Sequence, residues 1–506
     1  MNRDALDGRT ALASATLTVM ILLGFLAVDD ALAHWSLLPL FACGTLIGLD
    51  MVDWLRGRRN VFDVVGILGL LGYHFFFLAP LLHVRWDFWM DQVAPPPDWR
   101  DWLGCMALYN VAGLLIYRLA RRTGSTGQSR RPARRIDPRR FVPVITVALL
   151  LSACLQVAAY ASFGGIVGYI TAFEAGDGSF EGMGWIFVLS EKFPLLALIA
   201  YAVAARRRGE RPSTAKIAAL LLGYVVLTFL FGGLRGSRSN TIWSAFWAAG
   251  VIHFWLRPLP KRLIYAGLVF VGLFMYVYGF YKSGGSEAVL TALQDRSQLE
   301  SLERRGRRGS ETVILSDLAR ADVQAFILYR MFHGDYELAW GRTYVGAAAL
   351  LIPRAVWPDR PADKVREGTQ VQYGMQSYRP GGARSSRVYG LAGEFMLNFG
   401  PACVPFVYAL LGLAVGRVSR LTASLDPHDA RWLLVPFYIN LCFVLLGMDS
   451  DNILFFSIKN GLLPVLVVTL VAGTAVQQWH RYQEHQQSVY DQAEAALATG
   501  DLDAAA

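Results

Sequence analysis

The stretch RRPARRIDPRRFVPVITVALLLSACLQVAAYAS, Arg130 to Ser162, joins a block of arginines to an uninterrupted apolar run. The apolar part, Phe141 to Ser162, is long enough to cross the hydrocarbon core of a bilayer, which requires about 20 helical residues. Arginines beside a span are typical of loops that stay in the cytoplasm. Because this pattern recurs along the chain, it predicts a membrane protein of many helices.

The composition of the whole chain agrees with this prediction. Of the 506 residues, 54% are hydrophobic and only 17% are charged, which is unusual for a soluble protein. The net charge of +9 comes mainly from arginines in short loops between spans, so it indicates membrane orientation rather than nucleic-acid binding. The five cysteines lie in or beside apolar runs without CxxC spacing, so no disulfide framework or cysteine metal site is predicted.

The apolar runs that could cross a membrane number about 12, each close to the length of a helical span. They predict an all-α polytopic membrane protein with about 12 transmembrane helices. The runs are Ala11 to Val28, Leu32 to Leu49, Val61 to Leu82, Trp102 to Ala120, Phe141 to Ser162, Trp185 to Ala204, Ile217 to Phe231, Ile242 to Leu256, Leu263 to Tyr281, Val404 to Val418, Trp432 to Gly447 and Ile453 to Val476.

The connections between these runs predict the orientation of the protein. Every second connection is rich in arginine and lysine, an excess that marks short cytoplasmic loops. The other short connections are acidic or mixed, so we expect both termini in the cytoplasm. The basic connections are residues 56–59, 121–140, 206–216, 257–262 and 417–420.

One connection is long, and it falls on the outer side. Long loops cross the membrane regardless of charge, so its arginines do not contradict the topology. Within it, Ala288 to Leu302 and Glu311 to Phe332 have helical apolar periodicity, which predicts amphipathic helices on the membrane surface. The predicted divisions of the chain are helices one to nine in 1–281, the large periplasmic loop in 282–402, helices ten to twelve in 403–476 and a polar cytoplasmic tail in 477–506.

The first candidate site is GGLRGSRSN, Gly232 to Asn240, in the outer connection after the seventh run. Arg235 and Arg238 are three residues apart and face the same way once the next helix has begun. Free backbone N–H groups at a helix start add donors for phosphate. Cations in a short outer loop oppose the usual charge bias, which favours phosphate binding over side chains that merely reach the membrane interface.

The second candidate site runs from Gly341 to Pro361, with Lys364 just beyond it. Its core is Pro353-Arg354-Ala355-Val356-Trp357-Pro358, and the prolines predict a rigid, non-helical path. Such a path can hold the Arg354 guanidinium for bidentate contact with phosphate. An ordinary surface turn with solvated cations is the alternative.

The third candidate site, Pro380 to Gly400, leads directly into the tenth run. Arg384, Arg387 and Tyr389 precede the carboxylate Glu394. A carboxylate held among cations can serve as a base or as a sugar ligand. A helix-capping or salt-bridge role for Glu394 fits the sequence equally well.

Two acidic pairs lie in short outer connections, Asp29-Asp30 and Asp449-Ser450-Asp451. The DxD spacing can hold a divalent cation that bridges pyrophosphate, and either pair could instead activate a hydroxyl group. Acidic residues in short outer loops are usually only solvated, so no metal site is predicted. The chain also has no Walker-type GKS/T loop, HExxH or GxSxG motif.

Together, these segments resemble the Wzy-type O-antigen and oligosaccharide repeat-unit polymerases. The resemblance rests on the Arg235-Gly-Ser-Arg238 turn, on the Pro-Arg-x-x-Trp-Pro core of the second site, and on Gly393-Glu394-Phe395 followed by Asn398-Phe399-Gly400. It covers mainly the second half of the chain. The first half matches only in hydropathy.

The resemblance implies a fold akin to the GT-C glycosyltransferases, in a bacterial inner membrane, with a periplasmic active site. The implied reaction transfers a growing glycan from undecaprenyl pyrophosphate onto the nonreducing end of the next lipid-linked repeat unit. The implied partners are the lipid-linked oligosaccharide, membrane lipid and a chain-length regulator protein. No cofactor, metal or nucleic acid is expected.

A mechanism follows as a hypothesis. A polyprenyl pyrophosphate is a good leaving group, so fixed cations need only neutralise its charge while the acceptor hydroxyl is aligned. Arg235, Arg238 and Arg354, helped by Arg387 or Lys364, would clamp the donor pyrophosphate. Glu394 would position or deprotonate the acceptor hydroxyl. The predicted pyrophosphate and glycan contacts are Arg235, Arg238, Lys364, Arg384, Arg387 and Tyr389.

The sequence is also compatible with three other functions. An O-antigen ligase would use the same donor but pass the glycan to the lipid A core. A flippase or transporter would bind the same anionic lipid without making bonds, and Glu191, Lys192 and Pro194 in the sixth run could mark the polar break of such a protein. A scaffold for other assembly proteins is the third.

Overall fold

The computed structural model describes residues 7–91, 93–125, 132–175, 180, 182–235, 238–294, 311–334, 336–352, 356–379, 385 and 387–474. The described chain is almost entirely helical, as the apolar runs predict. The helices before the long connection are α1 (Gly8–Leu26), α2 (Leu37–Leu55), α3 (Val64–Arg85), α4 (Trp99–Ser125), α5 (Pro138–Ser162), α6 (Ile166–Ala175), α7 (Gly184–Arg207), α8 (Thr214–Arg235), α9 (Thr241–Leu256) and α10 (Lys261–Gln294).

Four short helices and three further long or apolar helices follow. Within the described residues, ten helices are long and apolar enough to cross a membrane, so the protein is a multi-pass membrane protein. Two of the predicted runs form the shorter apolar helices α9 and α16, and twelve crossings therefore stay a prediction. The later helices are α11 (Ala321–Phe332), α12 (Arg342–Ala349), α13 (Lys364–Tyr373), α14 (Gly390–Phe399), α15 (Pro401–Ser424), α16 (Val435–Gly447) and α17 (Ser450–Val471).

Close approach of α4 and α15 forms the centre of the bundle. Glycines make it possible: a Cβ atom at Gly113 would lie 2.2 Å from the Tyr408 ring, and one at Gly412 would lie 2.4 Å from the Tyr117 carbonyl oxygen. Small residues let membrane helices pack backbone to backbone. The Tyr408 hydroxyl donates to Asn110 Oδ1 at 2.6 Å, which satisfies both polar groups inside the bundle.

The end of the bundle with the basic connections carries the only regular strands of the described chain. Strand β1 (Arg134–Ile136) pairs antiparallel with β2 (Ala472–Thr474), with Arg135 opposite Gly473. The pairing ties the start of α5 to the end of α17. The Asp429 carboxylate accepts a hydrogen bond from the Arg134 N–H at 3.1 Å, so the segment before α16 is fixed at the same end.

Helices α11 to α14 cover the opposite end, where α16 leads into α17. In α11 the residues from Ala321 to Leu328 are all buried, and Tyr329 packs edge-on against Trp102 of α4 with ring centroids 5.5 Å apart. The predicted helix from Glu311 is therefore broken, since a π-helical turn, Thr312–Asp317, precedes α11. It lies inside the protein rather than on the membrane surface.

The other boundaries of the long connection also differ from the prediction. Helix α10 continues to Gln294, past Tyr281 where the apolar run ends. The predicted helix from Ala288 to Leu302 overlaps this extension, and its remainder lies outside the described residues. The polar tail from 477 onward lies outside them as well.

Candidate functional site

Three segments that are distant in sequence meet at the junction between α16 and α17. Asp449 immediately precedes α17, Glu394 lies on α14, and Lys364 begins α13. All three side chains are buried. They form a charged centre beneath the short helices of the long connection.

The Asp449 carboxylate organises the centre. Its Oδ1 accepts hydrogen bonds from the Tyr389 and Gly390 N–H groups, both at 2.8 Å, and its Oδ2 forms an ion pair with the Lys364 ammonium. Burial raises the pKa of Asp449, Asp451 raises it further, and Lys364 opposes both effects. Gly390 has a φ of +70°, a left-handed conformation that glycine adopts without strain.

The Lys364 ammonium joins the two carboxylates of the DxD sequence. It lies 3.4 Å from Asp451 Oδ1 as well as in contact with Asp449, and 5.7 Å from the centroid of the buried Tyr389 ring. The Tyr389 ring in turn packs on Gly368, where a Cβ atom would overlap the tyrosine hydroxyl. The Lys364 ammonium therefore bridges the Asp449 and Asp451 carboxylates.

Glu394 is 3% exposed and receives two hydrogen bonds from one residue of α17. The Ser450 N–H donates to Oε2 at 2.6 Å, and the Ser450 hydroxyl donates to Oε1 at 2.5 Å. Burial and the nearby Asp449 charge raise the pKa of Glu394 to about 7, although the hydrogen bonds from Ser450 and Thr343 oppose the shift. A carboxylate with such a pKa can accept and release a proton at neutral pH.

A second set of hydrogen bonds fixes α12 against Glu394. The Asn398 side-chain amide donates to Thr343 Oγ1 at 2.7 Å and to the Glu394 carbonyl oxygen at 2.8 Å. Its Oδ1 accepts from the Gly341 N–H at 2.8 Å. Because the Thr343 oxygen accepts from Asn398, the Thr343 hydroxyl hydrogen can be donated to the Glu394 carboxylate.

Beside this centre, Glu367 holds an arginine at the surface. The Glu367 carboxylate accepts from Arg342 Nε at 3.0 Å and Nη2 at 3.3 Å, and from the Tyr336 hydroxyl at 2.6 Å. Burial and the Glu367 charge both raise the pKa of Tyr336. The carboxylate is buried while the Arg342 side chain is 49% exposed, so a guanidinium is presented to solvent in a fixed orientation.

The floor of the centre comes from α11. Gln324 donates to the Tyr389 carbonyl oxygen at 3.0 Å, which holds the turn whose N–H groups bind Asp449. The neighbouring Arg320 donates to the Ser316 carbonyl oxygen at 2.5 Å and to that of Ala319. Burial lowers the pKa of Arg320, while the Asp449 charge opposes that change.

The predicted site residues are only partly brought together. Glu394, Lys364 and Tyr389 belong to the centre. Arg387 lies near it, where it donates to Gln372 Oε1 at 3.2 Å and to the Asp91 carbonyl oxygen. Arg354 and Arg384 lie outside the described residues. Arg238 lies at the start of the helical segment that leads into α9, and its side chain is outside the described part of the structure.

Arg235 has different partners from those of Lys364. It forms an ion pair with Glu191, which also lies 3.1 Å from the Lys459 ammonium. Of the acidic pair in the first outer connection, Asp29 lies 3.3 Å from Arg85. The cations assigned to one pyrophosphate clamp are thus divided between the Asp449 centre and a second cluster on α7, α8 and α17.

Several residues of the centre have no recognisable signal in the sequence. Thr343, Glu367 and Gln324 are common polar residues whose roles depend on contacts between distant segments. Asp449 is marked in the sequence by the DxD spacing and by its position between two apolar runs, because a carboxylate there must be solvated or paired. In the described part of the chain, no three His, Cys, Asp or Glu residues are grouped as metal ligands.

No family model, curated protein or solved structure matches this chain.

Proposed function

We propose that the protein is a membrane glycosyltransferase of GT-C-like fold that polymerises oligosaccharide repeat units carried on undecaprenyl pyrophosphate. The supporting observation is Glu394, a buried carboxylate with a pKa raised to about 7 at one end of a bundle of membrane helices. A base with this pKa is suited to accept the proton of a sugar hydroxyl at neutral pH. We assign the centre to the periplasmic side of a bacterial inner membrane.

The reaction we propose needs one proton acceptor and several cations. The acceptor sugar oxygen attacks the anomeric carbon of the donor glycan and forms the new glycosidic bond. The bond from that carbon to the pyrophosphate breaks, its electron pair leaves with the lipid diphosphate, and the hydroxyl proton passes to Glu394. Fixed cations stabilise the departing charge without reorganisation.

Among the cations, Arg342 is the best placed in the described residues to meet a substrate from solvent. Its guanidinium is half-exposed and fixed by Glu367. Lys364 is buried in its contacts with Asp449 and Asp451, so its role is to keep these carboxylates in place beside Glu394. Arg354, Arg384 and Arg387 stay predicted contacts of the pyrophosphate or glycan.

The deciding experiment uses the purified full-length protein and lipid-linked repeat units extracted from its own host. A ladder of products, each longer by one repeat, would support the polymerase. Transfer of a preformed chain onto lipid A core, with no ladder, would instead identify a ligase. If neither product forms with a substrate that a control polymerase elongates, the proposed function is wrong.

One observation favours transport of a lipid-linked oligosaccharide as the second candidate. Glu191, Lys192 and Lys459 are buried and charged within membrane-spanning helices, and such residues commonly mark substrate paths of transporters. Movement of a fluorescent lipid-linked oligosaccharide across proteoliposomes, without bond formation, would support this alternative.

A further inference from the structure

The second charged cluster consists of Glu191, Lys192, Arg235 and Lys459 and lies within the membrane-spanning part of the protein. Glu191 and Lys192 follow the start of α7 by seven and eight residues, so they lie about 10 Å along the span. Lys459 is nine residues into α17, about 14 Å from its start. The fourth member, Arg235, ends α8.

These side chains are partners of one another. Arg235 and Lys459 share the Glu191 carboxylate, and the Lys192 ammonium donates to Asn460 Oδ1 at 3.0 Å. Glu191, Lys192 and Lys459 are each less than 7% exposed. Because three cations surround one carboxylate, the described cluster has a net charge of +2 inside the bilayer region.

An excess of buried positive charge is costly unless an anion offsets it. The donors also exceed the acceptors. Each ammonium has three N–H donors, yet the described contacts supply one hydrogen-bonded or ionic partner for Lys192 and one for Lys459. Arg235 Nε is buried without a hydrogen-bond partner among the described residues. The cluster therefore has capacity for an acceptor-rich anion.

A neighbouring buried hydroxyl is also without a hydrogen-bond partner among the described residues. Tyr169 is 1% exposed and interacts electrostatically with Arg235 and Glu191, and its hydroxyl has no hydrogen-bond partner in the part of the chain that is described. The Phe187 ring lies under the Arg235 guanidinium at 3.5 Å. This ring covers one face of the guanidinium.

The backbone is irregular at both lysines. A turn at Glu191 and Lys192 interrupts α7 between Ser190 and Phe193, and a π-helical turn, Ser457–Gly461, contains Lys459 and Asn460. Such interruptions inside membrane helices occur where irregular backbone is enclosed by protein, and π-helical turns are frequent at functional sites.

We propose that Lys192, Arg235 and Lys459 bind the phosphate group of a polyprenyl lipid within the membrane, and that Glu191 is a built-in counterion that this phosphate displaces. The inference depends on the proposed function only for the polyprenyl class of lipid. The binding site is separate from Glu394, and phosphate oxygens supply the acceptors that the three cations lack. Its position in the spans keeps the lipid tail in the bilayer.

The test measures binding without glycan transfer, so its failure is distinguishable from failure of the polymerase proposal. The full-length protein in phosphatidylcholine nanodiscs is titrated with undecaprenyl phosphate, and with inorganic phosphate and pyrophosphate in parallel, while the melting temperature is followed. A ligand that binds only the folded state raises the melting temperature saturably. We expect this response to undecaprenyl phosphate at concentrations where the inorganic anions give none.

Two variants in the cluster and one control outside it then test the proposal. Lys192→Gln keeps a donor for Asn460 but removes one charge, so binding should weaken about tenfold, the usual effect of losing one charge-assisted hydrogen bond. Glu191→Gln removes the competing carboxylate and should tighten binding. Lys216→Gln, an exposed lysine at the opposite end of α8, is the matched control and should bind normally.

Several results would overturn the inference. These are no saturable shift in the unmodified protein, an equal response to inorganic phosphate, or binding within twofold of normal in Lys192→Gln. Melting temperatures without ligand show whether each variant is folded. If Glu191→Gln does not fold, Lys192→Gln alone decides, because it keeps the Asn460 hydrogen bond.

Discussion

The Ser450 N–H and hydroxyl both donate to the Glu394 carboxylate, at 2.6 Å and 2.5 Å. One residue at the start of α17 thus fixes both oxygens of a carboxylate on α14. Because the adjacent Asp449 is itself fixed by the Tyr389 and Gly390 N–H groups, the two carboxylates cannot move apart without breaking several hydrogen bonds. Burial of Glu394, together with the nearby Asp449 charge, keeps its pKa high.

We expect Glu394→Gln to reduce glycan transfer by about 100-fold or more, because a missing general base typically costs that much. The amide is the same size and can still accept from Ser450, so the melting temperature should change little. The residual activity should no longer rise with pH up to about 7, as it does when Glu394 must lose its proton. Gel separation of products from lipid-linked repeats measures the rate of transfer and its pH dependence.

Glu337→Gln is the control for that substitution, because Glu337 is an exposed carboxylate near Arg342. It should leave transfer and its pH profile unchanged. Normal transfer in Glu394→Gln would remove Glu394 from the reaction.

The contribution of Glu394 to the stability of the protein should fall as pH rises from about 4.5 to about 7. The pKa of Glu394 is raised from 4.5 to about 7 in the folded protein, so in this window the folded state binds more protons than the unfolded state. Its stabilising contribution is complete below the unfolded pKa and is lost as pH rises through the folded pKa. The melting temperature of the unmodified protein relative to that of Glu394→Gln should therefore fall over this range, and an identical pH dependence of the two proteins would contradict the assignment.

Lys364 and Asp449 should be strongly coupled in stability. Removing one member of a buried ion pair leaves an uncompensated charge and costs roughly 3–5 kcal/mol. We therefore expect Lys364→Met to lower the free energy of unfolding by about that amount. Lys364→Met combined with Asp449→Asn should cost clearly less than the sum of the two single changes, as measured by denaturant titration in detergent. Additive losses would show that the pair is not coupled.

The membrane architecture was largely predictable from the sequence, because crossing a bilayer needs length and apolarity, which a chain displays directly. The run from Phe141 to Ser162, for example, became the helix Pro138–Ser162. Burial of α11 could not be predicted in this way. Apolar periodicity shows that a helix has an apolar face, but whether that face meets lipid or protein depends on tertiary contacts such as Trp102 with Tyr329.

The sequence predicts which segments contribute to the candidate site, but not which of their residues form ion pairs with one another. Glu394 and Lys364 were both predicted, yet the ion pair of Lys364 joins residues 85 positions apart. The two carboxylates of the DxD sequence both contact this lysine, a pairing that their own spacing does not predict. Likewise, the local turn predicts Arg235 as a phosphate ligand. Its contact with Glu191, 44 positions away, could not be predicted from the spacing of residues in the sequence.

Gly390→Ala should destabilise the charged centre. At a φ of +70° a Cβ atom costs about 1–2 kcal/mol, and it would also lie 3.3 Å from both Gln324 Nε2 and the Leu446 carbonyl oxygen. Relief of these contacts would displace the N–H groups that bind Asp449. We expect a lower melting temperature, whereas Gly447→Ala should be tolerated because a Cβ atom there meets no atom within 4 Å. Equal effects of the two substitutions would argue against a strained turn.

Cysteine labelling should place the Glu394 centre outside the cytoplasm. Helix α16 leads from the basic end, where Arg206 donates to the Pro427 carbonyl oxygen at 2.7 Å, to Asp449 at the other end. Single cysteines at the exposed positions Glu337 and Lys216, in a chain whose five native cysteines are replaced by alanine, report on the two ends. A membrane-impermeant maleimide should modify Glu337→Cys in intact spheroplasts and Lys216→Cys only after permeabilisation. The reverse pattern would put the centre in the cytoplasm, where periplasmic lipid-linked repeat units cannot reach Glu394, and the polymerase proposal would then be wrong.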